Sequence, residues 1–446
     1  EDGQLNAYIR DRWEEIRRYC DQDARLAARL WRAFSEEAEE MGVPCGKPYS
    51  TGFLAEQHMN VRFRSRERGK PSIGPKHAQR LAWESYRGGR FELFRRGWNP
   101  DVVQVDINSA YPYQMRQLPD PGTLSWHHVQ DPDVDVLRDA ELAYTRARIW
   151  TDASRPMQPF AYKVRGRLTY PALDGQELVV DGDTLAYAVQ EGLVTDLELG
   201  EATVGVSTRY TERPWSWIGE MYEERQRLKR EERWQAQLVL KVVLNSLYGK
   251  TVQVTEAMEL ERGAEMSNPW EVGVNELALP DHLLSVLEDR DLYKTLKAGR
   301  YWNPAVGAAI TARTRLQLLR AGVDHGLEEA AEMAATDSLL LDREAYLDSS
   351  MPELENPTEL GAWDREYSGD GFVVGCGVAE ILDRETGEPL ETKTRGFSPG
   401  QGVYACEVGE DGLVAAVSED GTEALEVTHY RMATLNETIW RDDPTE

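Results

Sequence analysis

Two aspartates stand where strand-like stretches end or begin, and such positions can place carboxylates around a divalent cation. Asp106 closes the alternating run in VDINSAYP, and Asp337 comes just before the apolar run Leu339 to Leu341. Mg²⁺ prefers oxygen ligands, so the two carboxylates and the backbone carbonyl of Ile107 could hold one. Each stretch also fits an ordinary strand beside a polar turn. The residue types alone leave open whether Asp337 is half of a catalytic centre.

A polar helix face is predicted between these two stretches, in KVVLNSLYGK. Lys241, Asn245 and Tyr248 are spaced i, i+4 and i+7, so a helix carries them on one side. A cation, an amide and a phenol on one face suit a triphosphate and a sugar. Upstream, Arg225 and Lys229 share a face at i and i+4. A solvated charged face is the alternative, but it does not account for the Asn-Ser-Leu-Tyr-Gly ending.

The separation of two lysines predicts a break in this helical region. Lys229 and Lys241 are 241 − 229 = 12 positions apart. At about 100° per residue, one continuous helix would place their side chains about 120° apart. If both contact one triphosphate, the chain must form a helical hairpin between them.

The elements that must position these residues are predicted from hydrophobic periodicity. Strands are predicted up to Asp106 and in the C-terminal part of the chain, and a turn is predicted at Tyr111-Pro112. The predicted helices cover 5–40, 215–247 and 304–321, and the C-terminal strand-rich part covers 371–432. The fold class is therefore α+β, with a long helical insertion between two strand-bearing halves.

Length and composition describe a globular chain without a membrane span. The 446 residues predict two to four domains, and no apolar run approaches the 18 residues of a membrane helix. The cysteines lack the paired spacing of a zinc site or a disulfide framework, which predicts a reducing cytoplasm. They are Cys20, Cys45, Cys376 and Cys406.

The net charge of −27 argues against loose electrostatic capture of DNA, because such binding relies on Lys and Arg neutralising phosphates. Any nucleic-acid groove must then be a local basic island. The densest positive run is 62–80, RFRSRERGKPSIGPKHAQR, which either contacts phosphates or forms a solvated linker. Few lysines among many acidic residues suggest a halophilic source. The alternative is an acidic protein from a GC-rich genome.

The three polar stretches, in this order, resemble motifs A, B and C of the family B (alpha-like) DNA polymerases, and most closely the protein-primed branch of phages and archaeal viruses. The family patterns are Asp-x-x-Ser-Leu-Tyr-Pro, Lys-x-x-x-Asn-Ser-x-Tyr-Gly and Asp-Thr-Asp-Ser. Other segments are similar to further family elements: YRGG (Tyr86 to Gly89) to a template-contact element, 301–315 to the helix before motif C, TKTRGF (392–397) to a primer-holding segment, and YCDQD (Tyr19, Asp23) to an exonuclease motif.

The resemblance implies a polymerase right hand with an antiparallel palm sheet, helical fingers and a thumb. The domains expected from it are an exonuclease remnant (1–45), a linker with the YRGG element (46–99), palm (100–212 and 301–390), fingers (213–250), an insertion (251–300) and thumb (391–446). The insertion is long enough for the segment with which protein-primed enzymes encircle DNA.

The resemblance also implies roles for single residues. Two Mg²⁺ ions, or Mn²⁺, would lie on Asp106 and Asp337 with the Ile107 carbonyl, which makes both aspartates catalytic. The incoming dNTP would contact Tyr111, as a gate against the 2′-hydroxyl, and Arg225, Lys229, Lys241, Asn245 and Tyr248. The DNA primer-template would contact Tyr86, Gly88, Gly89, Ser109 and Lys393. A terminal protein could serve as primer, and the expected location is the cytoplasm, of a host cell if the source is viral.

Several positions depart from the family pattern. Ala335 stands where motif C has its first Asp, Met333 replaces the preceding aromatic, and Ala110 replaces a Leu of motif A. The Lys-x-Tyr element expected near 375–379 is missing, and only 18 residues precede Tyr19, so proofreading is expected to be absent. A catalytically weakened relative that binds primer-template or a replication partner is therefore the alternative to an active polymerase. An unrelated acidic α+β enzyme would require three chance matches in order.

Overall fold

The structure is a computed structural model. It describes residues 12–40, 42–43, 50–64, 66–164, 167–258, 294–376, 378–394, 405–408, 414–417 and 424–427.

A seven-stranded antiparallel sheet carries both aspartate-bearing stretches. Its strand order is β1-β11-β12-β2-β13-β14-β15, so segments far apart in sequence become neighbours. The strands are β1 (Arg90–Leu93), β2 (Gly97–Ile107), β11 (Ala331–Thr336), β12 (Ser338–Asp342), β13 (Trp363–Gly375), β14 (Val378–Leu382) and β15 (Pro389–Thr394).

The central strand β2 directs alternate side chains to the two faces of the sheet, each of which carries buried apolar residues. Val103, Val105 and Ile107 are fully buried in a core shared with helical leucines. Successive side chains of a strand point to opposite faces, so Gln104 and Asp106 lie on the other face. Alternation in the sequence thus directs the carboxylate of Asp106 away from the core.

A second antiparallel sheet has the order β3-β8-β4-β7. Two smaller sheets have two strands each, β5 with β6 and β9 with β10, and a third consists of β16, β17 and β18. Their strands are β3 (Ser125–Gln130), β4 (Leu142–Thr151), β5 (Tyr162–Val164), β6 (Arg167–Thr169), β7 (Asp174–Asp181), β8 (Val194–Val206), β9 (Val254–Met258), β10 (Lys294–Ala298), β16 (Ala405–Val408), β17 (Val414–Val417) and β18 (Ala424–Val427). The strands predicted within 371–432 are therefore confirmed where that range is described.

The helices are α1 (Trp13–Glu40), α2 (Thr51–Arg64), α3 (Lys76–Ser85), α4 (Ala110–Gln117), α5 (Val134–Arg138), α6 (Gly182–Gln190), α7 (Trp217–Arg230), α8 (Trp234–Thr251), α9 (Pro304–Val323) and α10 (Arg343–Asp348). The predicted helix 304–321 is confirmed as α9, which is buried on nearly every side. Its small residues permit close packing: a Cβ on Gly307 would lie 2.3 Å from a methyl group of Val252, at the end of α8.

The helical region 215–247 forms the hairpin that the lysine spacing predicted. α7 ends at Arg230 and α8 begins at Trp234, and the turn between them contains Glu232 at φ +56°. Leu228, Leu240 and other apolar residues of both helices are buried in one core. This hairpin brings the two charged faces within reach of each other.

The turn predicted at Tyr111-Pro112 is wrong, because these residues lie in the first turn of helix α4. A proline is tolerated in the first turn of a helix, where the backbone N–H it lacks would have no intrahelical acceptor. Ser109, at φ +51°, makes the bend between β2 and α4. Within the described residues, no helix has the length and hydrophobicity needed to cross a membrane.

Candidate active site

The sheet brings the two predicted aspartates side by side although they are 337 − 106 = 231 positions apart. In the register of β12 on β2, Ser338 is the direct partner of Asp106. Asp337 comes directly before that partner, and its carbonyl oxygen accepts a hydrogen bond of 2.9 Å from the N–H of Ile107. Asp106, Ile107 and Asp337 therefore meet at one point of the sheet, as a shared metal site would require.

The charges around Asp106 indicate a site suited to a cation. Burial, followed by the negative charge of Asp337 and smaller effects of Glu366 and Asp364, raises the pKa of Asp106 to about 8, while Lys393 opposes the rise. No trio of His, Cys, Asp or Glu side chains among the described residues forms a ready-made metal cage. Two carboxylates and a carbonyl still fit Mg²⁺, which usually keeps several waters and takes few protein ligands.

Asp364 and Glu366 are acidic neighbours that the sequence reasoning missed. Asp364 on β13 is the direct cross-strand partner of Asp106, so both side chains lie on the same face. Glu366 lies at an irregularity of β13, and its carboxylate accepts a 2.6 Å hydrogen bond from the buried amide of Gln104. Only the strand register reveals these positions, because nothing in the local pattern around them indicates a site.

The tight β11–β12 hairpin carries the departure from the family pattern. Ala335 pairs with Ser338, leaving Thr336 and Asp337 as the two turn residues. Ser338 also pairs with Asp106, so a carboxylate at position 335 would lie on the same face. Thr336 has φ +64°, a left-handed conformation that β-branched residues rarely adopt. The hairpin therefore presents Asp337 at the tip and an alanine methyl group beside it.

Three tyrosines, Tyr86, Tyr111 and Tyr248, form a cluster near Asp337, called here the tyrosine pocket. The rings of Tyr111 and Tyr248 are 4.6 Å apart, and the hydroxyl of Tyr248 is hydrogen-bonded to that of Tyr86. Burial raises the pKa of both Tyr111 and Tyr248, so both remain neutral phenols. The charge of Asp337 adds to the effect on Tyr111, which places this ring close to the β11–β12 hairpin.

The helical hairpin gathers the predicted cations, and Arg225 brings them to the end of the strand that carries Asp106. Arg225 donates a 3.3 Å hydrogen bond to the hydroxyl of Ser109, at the end of the Asp106 strand. Burial lowers the pKa of Lys229, and the charges of Arg225 and Lys241 lower it further, so the three cations share one region. Lys241 and Asn245 are exposed on α8. An anionic ligand would relieve this repulsion.

The YRGG element contributes Tyr86 to the tyrosine pocket and places Gly89 against Tyr111. A Cβ on Gly89 would lie 2.9 Å from the hydroxyl oxygen of Tyr111 and 3.0 Å from the Cγ2 of Thr336, which requires glycine at this close approach. The carbonyl of Gly88 accepts a 2.7 Å hydrogen bond from Arg315 on α9, a residue that the sequence reasoning did not single out. Gly89 therefore lies against Tyr111, and Gly88 is bonded to helix α9.

The structure also shows the surroundings of Lys393 and of the basic run 62–80. Lys393 lies on β15, within the large sheet, so that strand crosses the 390/391 boundary expected between palm and thumb. In the basic run 62–80, Arg66 is bonded to Asp120 and Glu212. Arg62, Arg68 and Arg80 of the same run are also paired with glutamates, so these arginines serve internal ion pairs.

Comparison with known sequences identifies a family. A family model described as DNA polymerase type B, organellar and viral, matches residues 6–267, more than half of the chain. No curated protein matches the chain significantly.

Comparison with solved structures identifies the fold. The DNA polymerase of phi29, complexed with primer-template DNA, matches with a TM-score of 0.54 at 15% identity, over 80% of this chain and 62% of that one. The same polymerase with primer-template DNA and incoming nucleotides matches with a TM-score of 0.55 at 14% identity, over 85% of this chain and 67% of that one. Its complex with single-stranded DNA matches with a TM-score of 0.54 at 16% identity, over 80% of this chain and 59% of that one.

The chain therefore spans about three fifths of the length of the phi29 enzyme and shares its right-hand polymerase fold. Because the family model covers more than half of the sequence, the protein belongs to the type B DNA polymerases of the organellar and viral group.

Proposed function

We propose that the chain is a DNA-templated DNA polymerase that joins a dNTP to a primer 3′-hydroxyl. The observation that carries the proposal is the strand register that unites Asp106 and Asp337. This pair lies beside the Tyr111 ring and near a hairpin bearing three cations. Carboxylates for metal ions and cations for phosphates are the two parts that phosphoryl transfer requires.

The residues that would hold Mg²⁺ or Mn²⁺ are Asp106, Asp337 and the Ile107 carbonyl. Their fit rests on the donor set and on the burial and nearby negative charges that raise the pKa of Asp106. Two bound ions supply activation of the primer hydroxyl and stabilisation of the charge on the triphosphate and leaving pyrophosphate. The chain's own part is to hold the two carboxylates close together on a rigid sheet.

The helical hairpin would bind the incoming nucleotide. Arg225, Lys229 and Lys241 neutralise the phosphates, while Asn245 and Tyr248 shape the pocket of the nascent base pair. Tyr111, packed against Tyr248, lies under the deoxyribose and excludes a 2′-hydroxyl. Tyr86, Gly88, Gly89, Ser109 and Lys393 contact the primer-template.

The domain assignment follows from these roles. The large sheet with α9 is the palm, α7 and α8 are the fingers, and the thumb lies toward the C-terminus. Much of the expected insertion 251–300 and of the segment 391–446 lies outside the described residues. Tyr19 and Asp23, the exonuclease-like pair, lie on exposed parts of α1. Priming by a terminal protein, a cytoplasmic location and a halophilic source complete the proposal.

Ala335 favours a second candidate, a weakened relative that binds primer-template without efficient synthesis. Primer extension with Mg²⁺ and with Mn²⁺, over a series of salt concentrations, distinguishes the two. A polymerase extends the primer in at least one metal, and Ala335→Asp strengthens the extension. DNA binding without extension in either metal would establish the second candidate instead.

A further inference from the structure

Arg315 is a buried cation outside the residues assigned above. It lies on α9 with 8% of its surface exposed. One guanidinium nitrogen, Nη1, donates 2.9 Å and 2.7 Å hydrogen bonds to the carbonyl oxygens of Arg87 and Gly88. Hydrogen bonds from a charged donor are stronger than those between neutral groups. Arg315 therefore fastens two successive peptide groups of the YRGG turn to α9, a helix that is buried along most of its length.

The fastened turn, Tyr86 to Gly89, joins α3 to β1 without strand pairing of its own. Its last residue, Gly89, lies against the Tyr111 side chain and the β11–β12 turn, since a Cβ there would lie within about 3 Å of the Tyr111 hydroxyl and of Thr336. The next residue, Arg90, pairs with Thr336 in the sheet. The position of this turn thus determines how much room the Tyr111 ring has.

The charge of Arg315 also reaches the pocket. It opposes the rise that burial causes in the pKa values of Tyr111 and Tyr248. The guanidinium group is therefore near both rings while it is bonded to the turn.

We propose that Arg315 is a positioning residue for sugar selection: it holds Gly89 against the hydroxyl of Tyr111, so that this ring cannot withdraw from the sugar. The inference rests on the proposed polymerase function and on the gate role of Tyr111. Without the two carbonyl bonds, the turn can move away from the ring. Tyr111 then gains room to shift, and a nucleotide with a 2′-hydroxyl fits more easily.

The test compares Arg315→Met, which keeps much of the side-chain volume but loses the donors, with Arg315→Lys, which keeps a charged donor. Arg313→Met is the matched control. Arg313 lies on the same helix and is bonded to Asp183 and to the Glu141 carbonyl, away from the pocket. The readouts are the ratio of kcat/KM for dNTP and rNTP in primer extension, and amide hydrogen exchange of residues 84–93.

Arg315→Met should lower the dNTP preference about tenfold and speed exchange of the turn, with partial rescue in Arg315→Lys. Arg313→Met should leave both readouts unchanged. Gly89→Ala, whose new methyl group meets Tyr111, should alter the same ratio, and its effect should not add to that of Arg315→Met. If Arg315→Met does not fold, Arg315→Lys and Gly89→Ala still test the ratio.

An unchanged ratio in both Arg315 variants, or an equal change in Arg313→Met, would overturn the proposal. If the unsubstituted chain extends no primer with any nucleotide or metal, the polymerase function fails instead. The exchange measurement then decides by itself whether Arg315 fixes the turn, and unchanged exchange in Arg315→Met would refute that role too.

Discussion

Ionisation of Asp106 should make the stability of the metal-free chain fall as the pH rises. The folded-state pKa of about 8 lies above the ordinary 3.8, so the folded chain keeps a proton that the unfolded chain has lost. The contribution is complete below pH 4 and is lost as the pH rises through 8. From pH 6 to pH 9, linkage for one such group gives a loss of about 2 to 3 kcal/mol in the free energy of unfolding.

Urea unfolding in EDTA at pH 6 and pH 9 measures this loss. Other buried carboxylates also respond to pH, so the comparison is with Asp106→Asn, which has no group to ionise. We expect this variant to lose less stability than the original chain by about 2 to 3 kcal/mol. Asp139→Asn, at an exposed carboxylate, is the control and should leave the dependence unchanged.

Divalent ions give the second half of the same experiment. Mg²⁺ should stabilise the original chain more at pH 9 than at pH 6, because ions compete with protons for the carboxylates. The reasoning is refuted if the free energy of unfolding of Asp106→Asn depends on pH as that of the original chain does. It is also refuted if Mg²⁺ stabilises the original chain equally at pH 6 and pH 9.

Three further predictions concern the hairpin turn, the cations and the charge. Thr336→Gly should raise the free energy of unfolding by about 1 kcal/mol, because glycine adopts φ +64° without strain. Urea unfolding measures this change, and a lower free energy of unfolding in the variant would show that the turn is unstrained. Lys229→Ala and Lys241→Ala should each raise the KM for dNTP about tenfold, with a smaller effect on the affinity for primer. If dNTP binding and primer binding weaken equally, the result contradicts a role of these lysines in binding the triphosphate. Because the net charge is −27, thermal unfolding should shift to higher temperature from dilute buffer to molar KCl, and a constant midpoint would exclude halophilic behaviour.

The sequence predicted the local features of the site because they depend on short-range patterns. The alternation of apolar and polar residues predicted a strand that ends near Asp106. Helical spacing predicted that Lys241, Asn245 and Tyr248 lie on one helix, which is α8. The need for Lys229 and Lys241 to converge predicted the break between α7 and α8, which is confirmed. The helix at Pro112 was missed because proline was read as a turn signal, although the first turn of a helix tolerates it.

Features that depend on distant pairing were not predictable in this way. Asp364 is close to Asp106 only through the register of β13 on β2, and Glu366 faces Gln104 only through an irregularity in that strand. Arg315 lies on a helix predicted correctly, but its bonds to the YRGG turn cross more than 220 positions of sequence. Periodicity alone carries no information about such contacts.

The most direct test of the central claim is single-turnover incorporation of one dNMP into a primer-template. We expect Asp106→Asn and Asp337→Asn each to slow the step at least about a thousandfold while DNA binding is retained. The double variant should be no slower than either single one, because the two carboxylates act as a unit. Normal incorporation by either single variant would contradict the pairing of Asp106 and Asp337 in one catalytic centre.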